Sequence, residues 1–83
     1  MYKKVEGNQR MTAYEASAKF PNDYILMRRD EKVISNPMGT ILYLGDNYGE
    51  LFRLGLTLED SSQCIVYEGL NHQRSLGGVV IGG

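Results

Sequence analysis

Few residues of this 83-residue chain have the types and spacing that catalysis or metal binding requires. His72 is the only histidine and stands in a polar stretch, so we expect an exposed loop residue without the orienting partner that a general base needs. Cys64 is the only cysteine and stands in an apolar run, where a thiol usually behaves as a small buried hydrophobe. Together they do not make a zinc site. We predict no catalytic residue, no metal ligand and no cofactor; an enzyme would have only His72 and a carboxylate to use.

Acidic neighbours and glycine-rich turns are better explained by backbone structure than by ligand binding. Carboxylates come close together in the sequence at three places: Asp30-Glu31, Asp46 with Glu50, and Glu59-Asp60. None of these has the spacing of an EF-hand or another oxygen cage for a cation. The turn Gly45–Gly49 lacks the spacing and the Lys-Ser/Thr of a phosphate-binding loop. We therefore assign these residues to turns and helix ends.

Tyrosines in the predicted strands say more about function than the histidine, the cysteine or the acidic residues. Tyr24, Tyr43 and Tyr67 can lie on one sheet face, with Arg28 beside them. Aromatic side chains on an open sheet face stack single-stranded bases in some small α+β domains, and Tyr and Arg are equally enriched at protein interfaces. The net charge of −1 and the lack of an RNA-recognition-motif signature favour a protein interface over nucleic acid.

The first element that positions these residues is a helix predicted over residues 12–20. Thr12 and Glu15 have the spacing of a capping box, in which both side chains bond to otherwise unpaired backbone N–H groups. Pro21 ends the helix, because it disfavours helical backbone at the residue before it.

Three apolar runs predict strands at residues 24–28, 40–44 and 63–68. Between the last two, a second helix is capped by Asp46 or Asn47 and continues to Glu59. The order is therefore α-β-β-α-β. It predicts an α+β fold class with two helices and a small mixed sheet, in which the first strand lies between the other two and antiparallel to both.

The domain boundaries follow from these elements. Residues 1–10 are polar and are predicted to form a flexible N-terminal segment, and residues 11–68 form a single α+β domain. Residues 69–83 form a polar loop and then a glycine-rich stretch in which Val79–Ile81 favours a C-terminal edge strand, the fourth of the sheet.

The strands are apolar on both faces, which is typical of a sheet that is covered twice. If both helices share one face, the other is bare and marks an interaction site. We therefore favour a homodimer, with a three-layer monomer and a complex with another protein as alternatives. The candidate interface residues lie on the strands and on the outer stripe of the second helix: Tyr24, Leu26, Arg28, Tyr43, Phe52, Leu56 and Tyr67.

Residues 40–68 resemble the half-domain of HicB-type antitoxins and small bacterial domains of unknown function. The resemblance is carried by a strand, Gly45-Asp46, a capped helix with Glu50 and Leu51 in its first turn, and a following strand. It implies a binding or regulatory role. An alanine-rich helix is usual there, but this chain has Leu51–Leu56 instead, and no appended DNA-binding segment is visible.

These observations predict a small non-enzymatic interaction module that binds a second copy of itself. The alternatives are an unidentified protein partner, single-stranded nucleic acid or an antitoxin-like regulatory role. No apolar run has the ~20 residues of a membrane span, so no membrane partner is expected. The N-terminus has no signal-peptide pattern and there is only one cysteine, which favour a cytoplasmic location.

Overall fold

The computed structural model describes residues 1–7, 9–31 and 35–72. These residues form two helices and a five-stranded sheet. In chain order the elements are β1 (Tyr2–Lys4), β2 (Arg10–Thr12), α1 (Ala13–Lys19), β3 (Tyr24–Arg29), β4 (Met38–Gly45), α2 (Tyr48–Leu56) and β5 (Cys64–Glu68). The predicted C-terminal strand at residues 79–81 lies outside the described residues. The α+β class is confirmed, whereas the predicted order of elements is not, because two strands precede the first helix.

Every strand pair in the described sheet is antiparallel, so the prediction of a mixed sheet of three or four strands is wrong. The strands lie in the order β1-β4-β3-β5, and β2 also pairs with β4. As expected, β3 lies between β4 and β5 and runs antiparallel to both. β5 pairs on one side only within the described residues, and this leaves an edge beside α2.

The two unforeseen strands come from the N-terminal segment, for which the sequence indicated no element. Both run along the same edge of β4, with Tyr2 opposite Gly45 and Thr12 opposite Met38. Between them the backbone N–H of Val5 donates to the carbonyl of Leu42 at 2.9 Å. β1 and β2 therefore act as one interrupted edge strand, and each is only three residues long, too short for an alternating pattern to show.

Helix α1 begins as predicted. The Thr12 hydroxyl accepts from the backbone N–H of Glu15 at 3.2 Å, and a Glu15 carboxylate oxygen accepts from the backbone N–H of Thr12 at 2.9 Å. Because the backbone N–H of Thr12 bonds to the carboxylate, with a smaller contribution from the Thr12 side chain, the pKa of Glu15 lies below its usual value. The helix ends at Lys19, before Pro21.

Helix α2 begins as predicted but ends earlier. The Asn47 side chain accepts from the backbone N–H of Glu50 at 3.0 Å and caps the helix. The last helical residue is Leu56, not Glu59, because Thr57 and Leu58 turn the backbone with bonds to carbonyls three residues earlier. The Thr57 hydroxyl also donates to the Leu54 carbonyl at 2.7 Å, which competes with continued helix.

The helices cover opposite faces of the sheet. Ala13 and Ala16 of α1 pack on a face formed by Ile25, Met27 and Ile65. On the other face, residues of β3, α2 and β5 form a second core, namely Leu26, Leu51 and Val66. The structure is therefore the three-layer arrangement that the sequence offered as an alternative. Within the described part of the chain, a helix packs on each sheet face, so the bare face that was the argument for a dimer is not found there.

A β-bulge in β4 changes which side chains share a face. Leu26 pairs with Tyr43 and Met27 pairs with Ile41, so Leu42 is an extra residue on β4. As a result Ile41 and Leu44 lie on the same face, against the regular alternation that the sequence suggested. No helix among the described residues is long and apolar enough to cross a membrane.

Candidate interaction surface

The most exposed apolar side chains of α2 lie next to β5, at the edge of the described sheet. Phe52 and Leu56 are one helical turn apart and are 37% and 61% exposed. We call these two residues the α2 stripe. Phe52 stacks on Tyr48 with ring centroids 6.1 Å apart, so its ring is held in place rather than free to fold away.

A shallow groove of about 200 Å³ separates the α2 stripe from the edge of β5. Gly55 lines its helix side, and Leu26 of β3 with Ile65 and Val66 of β5 line its sheet side. We call this concavity the β5 groove. Its lining is mainly apolar, and its long side is the Cys64–Val66 part of β5, which pairs with β3 and with no other strand among the residues that the structure describes. Such a combination accepts an extended chain, which can bond to the strand edge and place a side chain in the groove.

Gly55 determines how closely α2 approaches the sheet at this groove. A Cβ atom on Gly55 would lie 3.1 Å from Cδ1 of Leu26, a tight contact. The helix can come this near because residue 55 has no side chain. The groove is therefore shallow because the helix and strand are in direct contact beneath it.

A basic side chain holds the turn that leads into β5. Arg29 is buried, and its Nε and Nη2 atoms donate to the carbonyls of Gln63 and Ser62 at 3.2 and 3.3 Å. The short 3₁₀ turn Ser61–Gln63 is thereby fixed to β3. This contact orients the start of the β5 edge, and the sequence carried no signal for it beyond an arginine in an otherwise apolar strand.

The larger concavity, about 570 Å³, lies on the same sheet face but beyond the C-terminal end of α2. Lys4 and Glu6 line one wall, and Asp60 lies on the other, where it accepts from Arg28 Nη1 at 3.0 Å. Cys64 also faces this pocket, and burial raises its pKa, so the thiol form is favoured. A protonated thiol and paired charges do not make a nucleophilic site.

The structure divides the predicted interface residues into three groups. Leu26 and Tyr67 are 1% and 8% exposed and belong to the core, so they are not available to a partner. Tyr24 and Tyr43 are half-buried. The exposed members are Arg28, Phe52 and Leu56, of which only the last two are apolar.

The predicted tyrosine face is not formed as expected. Tyr24 and Tyr43 lie on the α2 side of the sheet, whereas Tyr67 packs into the core under α1. Tyr24 is covered, because His72 stacks on it with ring centroids 4.4 Å apart and Tyr48 meets it edge-on at 6.1 Å. An open platform for stacking bases is therefore missing from the described surface.

His72 is fixed by contacts with the backbone and with Tyr24. Its Nε2 atom lies 2.7 Å from the carbonyl oxygen of Asn22, and it lies in a short 3₁₀ turn rather than an open loop. The described residues give it no hydrogen bond to a carboxylate. They also contain no group of three or more His, Cys, Asp or Glu side chains that could hold a metal ion.

Comparison with protein-family models, with curated proteins and with solved structures found no match to this chain. The resemblance of residues 40–68 to HicB-type half-domains stays a prediction.

Proposed function

We propose that this protein is a small, non-enzymatic, cytoplasmic interaction module that binds an extended polypeptide along β5, in the β5 groove. One observation carries the proposal: two exposed apolar side chains, Phe52 and Leu56, border the Cys64–Val66 part of β5, which pairs with β3 and with no other strand among the described residues. Exposed apolar side chains are common singly. A pair of them beside such a strand edge provides both main-chain bonding and apolar contact for the same ligand.

The simplest ligand is a second copy of the chain. Two β5 edges can pair antiparallel about a two-fold axis, which brings the α2 stripe of each copy toward the same seam. The mode of association differs from the sequence-based hypothesis, which placed the partner on a bare sheet face. It keeps Phe52 and Leu56 as the interface residues.

The size of the surface predicts a weak interaction. Complete burial of a Phe or Leu side chain contributes about 1.5–3 kcal/mol, and stable interfaces bury about 1,200–2,000 Å² in total. A five-residue edge and two side chains fall below that range. We therefore expect association in the micromolar range or weaker, in keeping with a reversible regulatory contact.

Substitution of one stripe residue tests the proposal. Leu56→Lys places a charge in the seam, yet lysine near a helix C-terminus is compatible with the helix dipole. The matched control is Tyr14→Lys, because Tyr14 is 67% exposed on α1, on the opposite side of the sheet. Sedimentation equilibrium should show weakened self-association for Leu56→Lys and not for Tyr14→Lys. Equal association of both variants and the wild type would contradict the proposed surface.

Single-stranded nucleic acid and an antitoxin-like role remain predictions without support from the geometry. Arg28 is paired with Asp60, and Tyr24 is covered by His72. We therefore place the protein-interaction proposal first.

A further inference from the structure

The larger concavity, beyond the C-terminal end of α2, has about 570 Å³ of space, within the range of about 300–1,000 Å³ that small-molecule sites occupy. We call it the charged pocket, because Lys4, Glu6, Arg28, Glu59 and Asp60 line it. We propose that the charged pocket binds a small zwitterion, an α-amino acid with an aliphatic side chain. Its carboxylate contacts Arg28 and Lys4, and its ammonium group contacts Glu6 and Glu59.

The floor of the charged pocket is a row of side chains that α2 leaves uncovered. Arg28 of β3 lies between Thr40 of β4 and Cys64 of β5 in the register of the sheet, and all three line the pocket. Because α2 ends at Leu56, no α-helix covers this row within the described part of the chain. The polar end of the sheet face is therefore open to a ligand.

Both walls of the charged pocket are held in place by hydrogen bonds. On one wall the backbone N–H of Val5 donates to the carbonyl of Leu42, the extra residue of the β4 bulge, at 2.9 Å. On the other wall the backbone N–H of Leu58 donates to a carbonyl of α2 at 3.2 Å, and the Asp60 carboxylate accepts from Arg28 Nη1 at 3.0 Å. A site that is formed before its ligand arrives loses little ordering entropy on binding.

The charges that line the pocket are of both signs. Lys4, Glu6 and Glu59 have no ion-pair partner among the described residues. Arg28 uses one N–H group on Asp60, and its guanidinium has further donors that match the planar geometry of a carboxylate. A ligand with one charge would meet like charges as well as opposite ones, whereas a zwitterion places each of its ends against the opposite sign.

Apolar side chains define the rest of the ligand. Val5, Leu42 and Leu58 are half-buried and contribute apolar surface to the same pocket. An aliphatic side chain that covers them is favoured by burial of apolar area on both partners. These contacts favour an aliphatic amino acid over a polar one, and L-leucine is therefore the probe.

The test is titration of the ¹⁵N-labelled full-length chain with L-leucine, followed by NMR. We expect shifts of the amides of residues 4–7 and 58–60, with saturation at about 10 mM or below. Leucine amide lacks the carboxylate, and N-acetyl-leucine lacks the ammonium group. Each of these should bind at least about tenfold more weakly than leucine, because a charge-assisted contact is lost.

Substitutions that remove charge from the pocket locate the ligand. Lys4→Gln should weaken leucine binding about tenfold, because the carboxylate loses a cation. Its matched control is Lys3→Gln, since Lys3 is the neighbouring residue of β1 and does not line the charged pocket.

The acidic side of the pocket is tested by the variant E6Q/E59Q, which should weaken binding by about tenfold or more. The control D23N/E31Q changes the net charge equally at residues outside the pocket lining and should bind leucine as the wild type does.

Selective binding of leucine that both pocket variants weaken would support the proposal. It would be overturned if about 10 mM leucine caused no shifts, or if leucine amide or N-acetyl-leucine bound as tightly as leucine. Unchanged binding by either pocket variant would also overturn it. The β5 groove is tested separately, because Leu56 does not line the charged pocket and Leu56→Lys should bind leucine as the wild type does.

Discussion

Gly55 of α2 and Leu26 of β3 are in such close contact that a Cβ atom on the glycine would lie 3.1 Å from Leu26 Cδ1. Leu26 is 1% exposed and is surrounded by the core between α2 and the sheet, so it has little room to move away. This contact sets the height of the helix above the sheet and therefore the depth of the β5 groove.

Two glycines of α2 should respond oppositely to replacement by alanine. Gly55→Ala forces a methyl group against Leu26, and we expect a loss of about 1–3 kcal/mol in the free energy of unfolding. In Gly49→Ala the new Cβ atom would lie 3.5 Å from Asn47 Oδ1 and 3.9 Å from Arg53 Nη2, both ordinary contacts, so the better helix propensity of alanine should stabilise the protein by up to about 1 kcal/mol. Urea denaturation measures both. A Gly55→Ala protein as stable as Gly49→Ala would show that α2 can move away from the sheet.

Substitutions at core residues and at surface residues of the predicted interface should change the free energy of unfolding by different amounts in the same urea assay. Leu26→Ala creates a cavity between α2 and the sheet and should cost about 2–5 kcal/mol. Leu56→Ala removes an exposed side chain and should change stability by no more than about 0.5 kcal/mol in the monomer. If Leu26→Ala proved harmless, the assignment of Leu26 to the core would be wrong.

The capping box of α1 predicts a pH dependence. The pKa of Glu15 is lower in the folded chain than its ordinary value of 4.5, because the backbone N–H of Thr12 bonds to the carboxylate. The contribution of the Glu15 carboxylate to folding stability is therefore complete above its pKa in the unfolded chain. That contribution is lost as the pH falls through its pKa in the folded chain.

Comparison with Glu15→Gln isolates that contribution, because glutamine keeps the hydrogen bond and does not titrate. The difference in unfolding free energy between the wild type and Glu15→Gln should be constant from about pH 6 to 8 and should shrink below about pH 4.5. A difference that stays the same down to pH 3 would mean that the carboxylate is not capping the helix.

Cys64 should react slowly with alkylating reagents. It is half-buried, and burial raises its pKa while Asp60 adds to the increase, so little thiolate forms near neutral pH. We expect iodoacetamide to modify the folded protein several-fold more slowly than it modifies glutathione at pH 7.5, and the difference to vanish in urea. Rapid reaction in the folded state would indicate an activated thiol and would reopen the question of catalysis.

Local signals predicted the helices and the central strands well. Helix caps can be recognised from residue type and spacing alone. The two predicted caps, Thr12 with Glu15 and Asn47 before Glu50, are both present in the structure. The central position of β3 followed from the shortest connections between neighbouring strands. These features depend on residues within a few positions of one another.

Features that depend on distant contacts were not predictable. β1 and β2 are polar three-residue strands that exist because β4 offers them an edge. The bulge at Leu42 reversed the expected faces of β4, and Tyr67 belongs to the core because α1 covers its face. The β5 groove was missed for the same reason, since the position of a strand at the edge of a sheet is a property of the assembled sheet.

The most direct test of the account is solution mass across a concentration series, measured for the wild type, Leu56→Lys and the control Tyr14→Lys. We predict that the wild type and Tyr14→Lys shift from monomer toward dimer at high micromolar concentration, and that Leu56→Lys remains monomeric. A monomer for the wild type up to millimolar concentration would contradict self-association through β5 and the α2 stripe.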